Sequence, residues 1–220
     1  MGYESITKVK SMKTNSRIAA VVLASGMSKR MGTAKQLLLL QGVTLLEYII
    51  RKLLPLPFEK ICVIIGNQSE EIMNRIHIED PRCEWKINRM YKEGQSAALK
   101  VAVESVNELD GMMVFLADQP LISDETIKIV FDRATHFLVS HQGDFVVQPS
   151  FFNKSGHPVF FSNRLFSLFH KLEGDEGGRR IINLATSHYL VPVEDPGILL
   201  DIDTPEDYQR LLRIFDVRKG

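Results

Sequence analysis

Three short apolar runs constrain this chain more than any other feature: "RIAAVVLA" (17–24), "KICVIIG" (60–66) and "MMVFLADQP" (112–120). Each is too short for a buried helix and too continuously apolar for a half-exposed strand. Each also stops at a small or polar turn, so each reads as a strand buried on both faces. Helical signals lie between them. Thr44-Leu45-Leu46-Glu47 has the spacing of a capping box and predicts a helix to Leu54, before Pro55. Ser69 is placed to cap a helix through Arg75, "GQSAALKVAVESV" is built from helix formers, and Ser123 opens a helix to Leu138. With "CEWKIN" as a further strand, strand and helix alternate. That order predicts an α/β fold of three layers, α/β/α, around a mainly parallel sheet.

The second half is more closely spaced. "DFVVQPSF" and "HPVFFS" read as strands with a turn at Lys154-Ser155-Gly156, followed by helices over Arg164–Leu172 and Gly178–Ala185. "HYLVPV" is a late strand. Thr204-Pro205-Glu206-Asp207 combines a cap, a proline in the first helical turn and two acids, and predicts a last helix to Val217. The expected result is a hairpin or a mixed strand order. No Gly/Pro/Ser-rich linker and no repeat interrupts residues 17–220, so one domain is expected there, after a polar tail over residues 1–16.

Formal net charge is zero, with 27 basic and 27 acidic residues. A nucleic-acid or membrane-surface partner is therefore not expected, and any anion site must come from a local patch. Cys62 and Cys83 have no metal-ligand spacing and suggest a reducing, cytoplasmic setting. No apolar stretch approaches the roughly 18 residues that span a bilayer, and the first residues lack a signal peptide's apolar centre.

In a mainly parallel sheet, ligands bind beyond the carboxyl ends of the strands. The polar turns there are Ala24–Lys35, Gly66–Ser69, Asn88–Ser96 and Ala117–Pro120. The first belongs to "LASGMSKRMGTAKQ" (23–36), with two glycines, three cations and no acid. It lacks the Gly-Lys-Ser/Thr of a P-loop and the Gly-x-Gly-x-x-Gly of a dinucleotide loop. Small residues still let backbone N–H groups approach an anion. Arg30 offers a planar fork for phosphate oxygens and Lys35 a mobile point charge. The alternative is an ordinary strand-to-helix turn with solvated cations. Asp118, at the end of a buried strand, suits a Mg²⁺ that bridges phosphate oxygens; the alternative is a capping role before Pro120.

The same loop resembles the first motif of the MobA-like nucleotidyltransferases, Leu-Ala-(Ala/Gly)-Gly-x-Ser-x-Arg-Met-Gly-x-x-Lys. Further stretches match that family in order: "YKEGQSAALKVAV", "FLADQPLIS", "NKSGHPVFFSNRLF", "LEGDEGGRRII" and "LLDIDTPEDYQRL". Gln119-Pro120, Gly156-His157-Pro158-Val159 and the Asp-Ile-Asp-Thr-Pro-Glu-Asp run resemble the molybdenum cofactor cytidylyltransferase branch. The guanylyltransferase branch usually has Gly-Gly in the first loop and Asn before the closing Thr-Pro. The resemblance implies a Rossmann-like nucleotidyltransferase fold. It also implies transfer of CMP from CTP to the terminal phosphate of molybdenum-bound molybdopterin, with a molybdenum hydroxylase as recipient of the product.

By that resemblance, Arg30, Lys35 and Asp118 are the catalytic groups. Leu23, Ala24, Ser25, Gly26, Ser28, Arg30, Lys35, Asn88, Gly94 and Ser96 are expected to hold the nucleotide. Asp118 and Asp203 are expected to hold Mg²⁺ or Mn²⁺, with Asp201 a weaker candidate. Gly156, His157 and Asp175 fall on the second-substrate side. For His157 the alternative is a structural turn histidine, and for Asp175 a helix cap before Gly177. The other histidines (His77, His136, His141, His170 and His188) and Trp85 read as surface or core residues. The chain departs from the family pattern at Ala98, where Ser is frequent, at Ala117 in place of Gly and at Gly178 in place of Ala. None of these removes a charged group. A related sugar or alditol nucleotidyltransferase would share the first loop and Asp118, but Gly-His-Pro-Val and Asp-x-Gly argue against it, and two other classes compete. An NAD-type oxidoreductase would need the absent dinucleotide fingerprint, and a non-catalytic nucleotide-binding protein would be expected to have lost one of Arg30, Lys35, Asp118 or Asp203.

Overall fold

The computed structural model describes residues 16–27 and 31–217. The expected tail over residues 1–16 falls almost entirely outside them, as do Ser28 and Arg30. In chain order the elements are β1 (Ile18–Ala24), β2 (Leu39–Leu40), β3 (Val43–Thr44), α1 (Leu45–Leu53), β4 (Lys60–Ile65), α2 (Ser69–Arg75), β5 (Cys83–Ile87), α3 (Gln95–Val106), β6 (Gly111–Leu116), α4 (Asp124–Ser140), β7 (Phe145–Phe151), β8 (Lys154–Ser155), β9 (Val159–Ser162), α5 (Phe166–Phe169), α6 (Gly178–Leu184), β10 (Ser187–Pro192) and α7 (Pro205–Val217). Single 3₁₀ turns cover Lys35–Leu37, Tyr91–Glu93, Asn163–Leu165 and Pro196–Leu199.

An eight-stranded sheet runs in the order β10-β7-β9-β6-β1-β4-β5, with β8 hydrogen-bonded to β7. β1 pairs in parallel with β4 and with β6, β4 with β5, and β7 with β10. β9 runs antiparallel between β6 and β7 and makes the sheet mixed. Because strand side chains alternate, β1 feeds both faces. Ala20, Val22 and Ala24 join Ile49, Ile72 and Val130 of α1, α2 and α4. Ala19 and Val21 join Ala102, Phe169 and Ile181 of α3, α5 and α6. This is the three-layer α/β/α arrangement that the sequence predicts. A third, smaller cluster joins Leu40 and Leu45 to Ile202, Leu211 and Phe215 around α7.

The local signals fare unevenly. Thr44 accepts from the Glu47 N–H at 3.2 Å and Ser123 from that of Thr126 at 3.1 Å, as N-caps do. Thr204 and Asp207 cap each other: Thr204 Oγ1 accepts from the Asp207 N–H, and Asp207 Oδ2 accepts from the Thr204 N–H. Ser69, in contrast, is the first helical residue of α2, and Gln68 precedes it at the cap position in a left-handed conformation without a side-chain capping bond. The hairpin turn sits at Phe152–Asn153, both with positive φ, rather than at Lys154-Ser155-Gly156, because Lys154 and Ser155 pair back onto β7. The helix expected over Arg164–Leu172 is a 3₁₀ turn followed by the four-residue α5. There the buried Phe166, Phe169 and Leu172 recur every third residue, and Leu172 N–H bonds the carbonyl of Phe169, a spacing that suits tight 3₁₀ turns.

Cys62 and Cys83 are unpaired, and burial pushes their thiols up to about 12 and about 11. Among the described residues no helix is long and apolar enough to cross a membrane.

Candidate active site

From β1 the chain moves outward to β4 and β5, then returns to place β6 on the other side of β1. The carboxyl ends of β1 and β6 therefore form a topological switch point, where the strands' turns diverge and leave a crevice. A cleft of about 580 Å³ opens there. Leu23, Ala24, Ser25 and Gly26 form one wall, Tyr91, Lys92, Gly94 and Gln95 another, and Lys35, Asp118, Asp175 and Asp203 reach it from four further segments. The structure thus gathers Leu23, Ala24, Ser25, Gly26, Lys35, Gly94, Asp118, Asp175 and Asp203 from the expected site residues.

Asp118 and Asp203 are distant in sequence and are joined through the backbone. The Ile202 N–H donates to the Asp118 carbonyl at 2.9 Å, which sets the segment before α7 against the end of β6. Lys35 completes the group. Its Nζ donates to Asp118 Oδ2 at 2.9 Å and to Asp203 Oδ1 at 2.8 Å. Burial alone would lower the Lys35 pKa, but the Asp118 and Asp203 carboxylates outweigh it and raise the pKa, so the ammonium stays charged. Asp118 Oδ1 is buried and has no hydrogen-bond partner among the described residues.

Asp201 stands beside this pair and accepts from Gln119 Nε2 at 2.6 Å. Loss of solvent raises its pKa against the Gln119 bond, and the Asp118 and Asp203 carboxylates add to the rise. Among the described residues no group of three or more His, Cys, Asp or Glu could hold a metal ion. The Asp118–Asp203 pair still fits the usual habit of Mg²⁺, which takes one or two carboxylates and completes its shell with water and phosphate oxygens. A carboxylate oxygen buried without a partner is what such a cation would satisfy.

Of the remaining expected residues, those that are described lie around the cleft. Asn88 and Ser96 are buried behind its wall; Asn88 Oδ1 accepts from the Met90 N–H, and the Ser96 N–H donates to the Gly174 carbonyl. Gly94 has φ +104° and packs on Gly174 and Asp175 so closely that a Cβ would overlap the Gly174 carbonyl. This contact brings the Asp175 turn to the cleft. Gly156 is wedged against the Ile198 carbonyl, and Gln148 Nε2 donates to the Gly156 carbonyl at 2.9 Å. His157 follows and feels the Asp118 carboxylate, yet burial dominates and pulls its imidazole down to about 4. It is neutral near pH 7.

Sequence reasoning passed over Gln36. Its side chain is 4% exposed, and its Nε2 donates to the Ala24 carbonyl at 2.7 Å and the Gly26 carbonyl at 3.4 Å. It clamps the start of the loop from beneath. Its position beside Lys35, at the head of an apolar run, was the available signal. Tyr91 and Lys92 were inside a segment expected to matter but were not singled out.

Comparison with known proteins agrees with this geometry. The model of the MobA-like NTP transferase domain matches residues 20–191. Purine catabolism protein PucB of Bacillus subtilis is 28% identical over 206 residues, covering 89% of this chain and 96% of PucB. Molybdenum cofactor cytidylyltransferase of Escherichia coli K12 is 25% identical over 193 residues, 88% of this chain and 94% of that enzyme. The crystal structure of Rv0371c from Mycobacterium tuberculosis superposes with a TM-score of 0.74 at 25% identity, over 90% of this chain and 99% of its own. Its complex with manganese gives 0.71 at 23% identity. With its switch-point cleft, its loop after β1 and Asp118 inside the matched residues, this chain belongs to the MobA-like NTP transferase family and is a nucleotidyltransferase.

Proposed function

We propose that this nucleotidyltransferase moves CMP from CTP to the terminal phosphate of a molybdopterin-type substrate, releasing pyrophosphate. The observation that carries the proposal is the convergence of Lys35, Asp118 and Asp203 at the floor of the cleft beside the loop after β1. Similarity along most of its length to a molybdenum cofactor cytidylyltransferase supports the choice of substrates.

The attacking oxygen belongs to a phosphate whose second pKa is near 6, so it is largely dianionic at neutral pH and needs no protein base. The new bond forms to the α-phosphorus of CTP as the bond to the β-phosphate oxygen breaks, and pyrophosphate carries away the electron pair. The protein's task is therefore to position two polyanions and offset charge. The backbone of Leu23, Ala24, Ser25 and Gly26, with Ser28, cradles the triphosphate. Lys35 and Arg30 hold the oxygens of the departing pyrophosphate. Asn88, Gly94 and Ser96 shape the base side. Gly156, His157 and Asp175 receive the second substrate: a neutral imidazole can donate to or accept from a pterin, and the Asp175 carboxylate can accept from its N–C–N edge. A divalent cation held by Asp118 and Asp203, Mg²⁺ or Mn²⁺, would supply charge neutralisation at the phosphates; Rv0371c, of the same fold, is known in complex with manganese. The product is proposed to pass to a molybdenum hydroxylase in the cytoplasm.

The test is pyrophosphate release with CTP, GTP or ATP, each with and without molybdopterin. Release with CTP is expected only when the pterin is present. Faster release with GTP would move the assignment to guanylyl transfer. Release with a sugar phosphate in place of the pterin would overturn the substrate class, and no release under any condition would favour a nucleotide-binding role.

A further inference from the structure

Lys35 occupies the place where a cation is needed. Its Nζ lies 2.9 Å from Asp118 and 2.8 Å from Asp203, and the side chains of Lys35, Asp118 and Asp203 are 15%, 25% and 32% exposed. A divalent ion held by the same two carboxylates would have to share that space with an ammonium, and two cations at contact distance repel. From this geometry we infer that Lys35 is the resident counter-cation of the Asp118–Asp203 pair and keeps free divalent metal out until a polyphosphate draws its ammonium away. The inference rests on the reading of these two aspartates as the metal pair.

The exchange follows from what each ligand leaves behind. Free metal alone would displace Lys35 and break a partly buried ammonium's bonds to both carboxylates, a heavy penalty at a semi-enclosed site. A polyphosphate changes the balance. Lys35 has a flexible four-carbon stem and a point charge that suits phosphate oxygens. It starts from the 3₁₀ turn that ends the loop after β1, on the wall of the same cleft. Moved onto the phosphates, it keeps a counter-anion, while Asp118 and Asp203 lose the ammonium that bridges them and attract the metal more strongly. Each ligand thus removes the obstacle to the other, and linkage requires that they raise each other's affinity by the same factor.

Mn²⁺ is the probe, followed by loss of its free-ion electron paramagnetic resonance signal, and tripolyphosphate serves as a polyphosphate without a base. Lys35→Met keeps the stem and removes the charge. It is expected to bind Mn²⁺ about ten-fold more tightly than the wild type in the absence of phosphate, within the usual range of such couplings. Lys35→Arg should remain at the wild-type value, and adding Asp118→Asn to Lys35→Met should abolish the gain. In the wild type, tripolyphosphate should raise Mn²⁺ retention on the protein beyond what complexation in protein-free buffer explains; in Lys35→Met that rise should largely vanish. Equal Mn²⁺ affinity for wild type and Lys35→Met would overturn the inference. If Lys35→Met does not fold, as judged by circular dichroism, Lys35→Gln replaces it, and absence of the tripolyphosphate effect in the wild type is equally fatal. Pyrophosphate release from CTP is read separately. Turnover with no Lys35-dependent Mn²⁺ response removes this inference alone, whereas the full Mn²⁺ response without turnover counts against the cytidylyl reading.

Discussion

His157 shows how one side chain can be present in a motif and still hide its chemical state. Burial brings its pKa down to about 4, despite the pull of Asp118. In the unfolded chain an imidazole titrates near 6.5. Between those values the unfolded state binds more protons than the folded state, so stability rises with pH across that window. It is fully present above about 6.5 and is lost as pH falls toward 4, for a total on the order of 2–3 kcal/mol. His157→Gln removes this contribution. Urea midpoints measured from pH 7 to pH 4 should fall less steeply for the variant than for the wild type, and parallel curves would mean that the folded imidazole titrates like a free one. The motif made His157 legible in the sequence, but its neutrality was not, because Asp118 and the Pro196–Leu199 turn, distant in the chain, meet it only in the fold. Gln36 is the converse case. Its amide is as well placed as any motif residue, yet its type carries no chemical signature, and only its place beside Lys35, before a run of leucines, could have drawn attention to it.

At the level of elements, the ends of helices were readable where the cap is local and unreadable where it is borrowed. Ser123 announced α4 through its own neighbours. The same corner depends on Asp195, whose Oδ2 accepts from the Ser123 N–H at 2.8 Å and whose Oδ1 accepts from the Gly197 N–H at 2.9 Å. Asp195 is 8% exposed, so both N–H groups would lose their acceptor without gaining much water. The link fixes the 3₁₀ turn over Pro196–Leu199, and the Ile198 carbonyl in that turn accepts from the His157 N–H and abuts Gly156. Asp195→Ala should cost about 2–4 kcal/mol, since each buried donor left unpaired costs roughly 1–3 kcal/mol. Asp195→Asn keeps one side-chain oxygen acceptor and should cost about half as much. Calorimetric melting of the three proteins should give that graded order; equal melting temperatures would show that water satisfies both donors. Nothing near Asp195 in the sequence pointed to Ser123, because the bond closes across the whole β7–β10 segment. The hairpin turn was displaced for a related reason: Lys154 and Ser155 gain ladder bonds to β7, which outweigh the turn propensity of Ser155-Gly156.

For the molecule as a whole, the floor of the cleft is closed by bringing together segments from the two ends of the described chain. The alternation of strands and helices made the three layers legible, and the motifs nominated Asp203. The packing that seats Asp203 was not legible, because it joins Leu40 and Leu45 near one end of the described chain to Leu211 and Phe215 near the other. Ile202 sits in that cluster and hands its N–H to the Asp118 carbonyl, while Tyr208 Oη donates to the Leu39 carbonyl at 2.6 Å. Because this cluster is separate from the two main faces of the sheet, it should open by itself. Leu211 is fully buried, and Leu211→Ala should cost the cluster about 2–5 kcal/mol. Amide exchange is then expected to accelerate over residues 39–45 and 201–217 while β1, β4 and β6 keep their protection. Mn²⁺ affinity in the presence of tripolyphosphate should fall although no cleft residue has changed, because Asp203 loses its seat beside Asp118. Exchange that accelerates equally in β1 would instead show that α7 and the central sheet unfold as one unit, so that Asp203 cannot be loosened without unfolding the strand that carries the loop after β1.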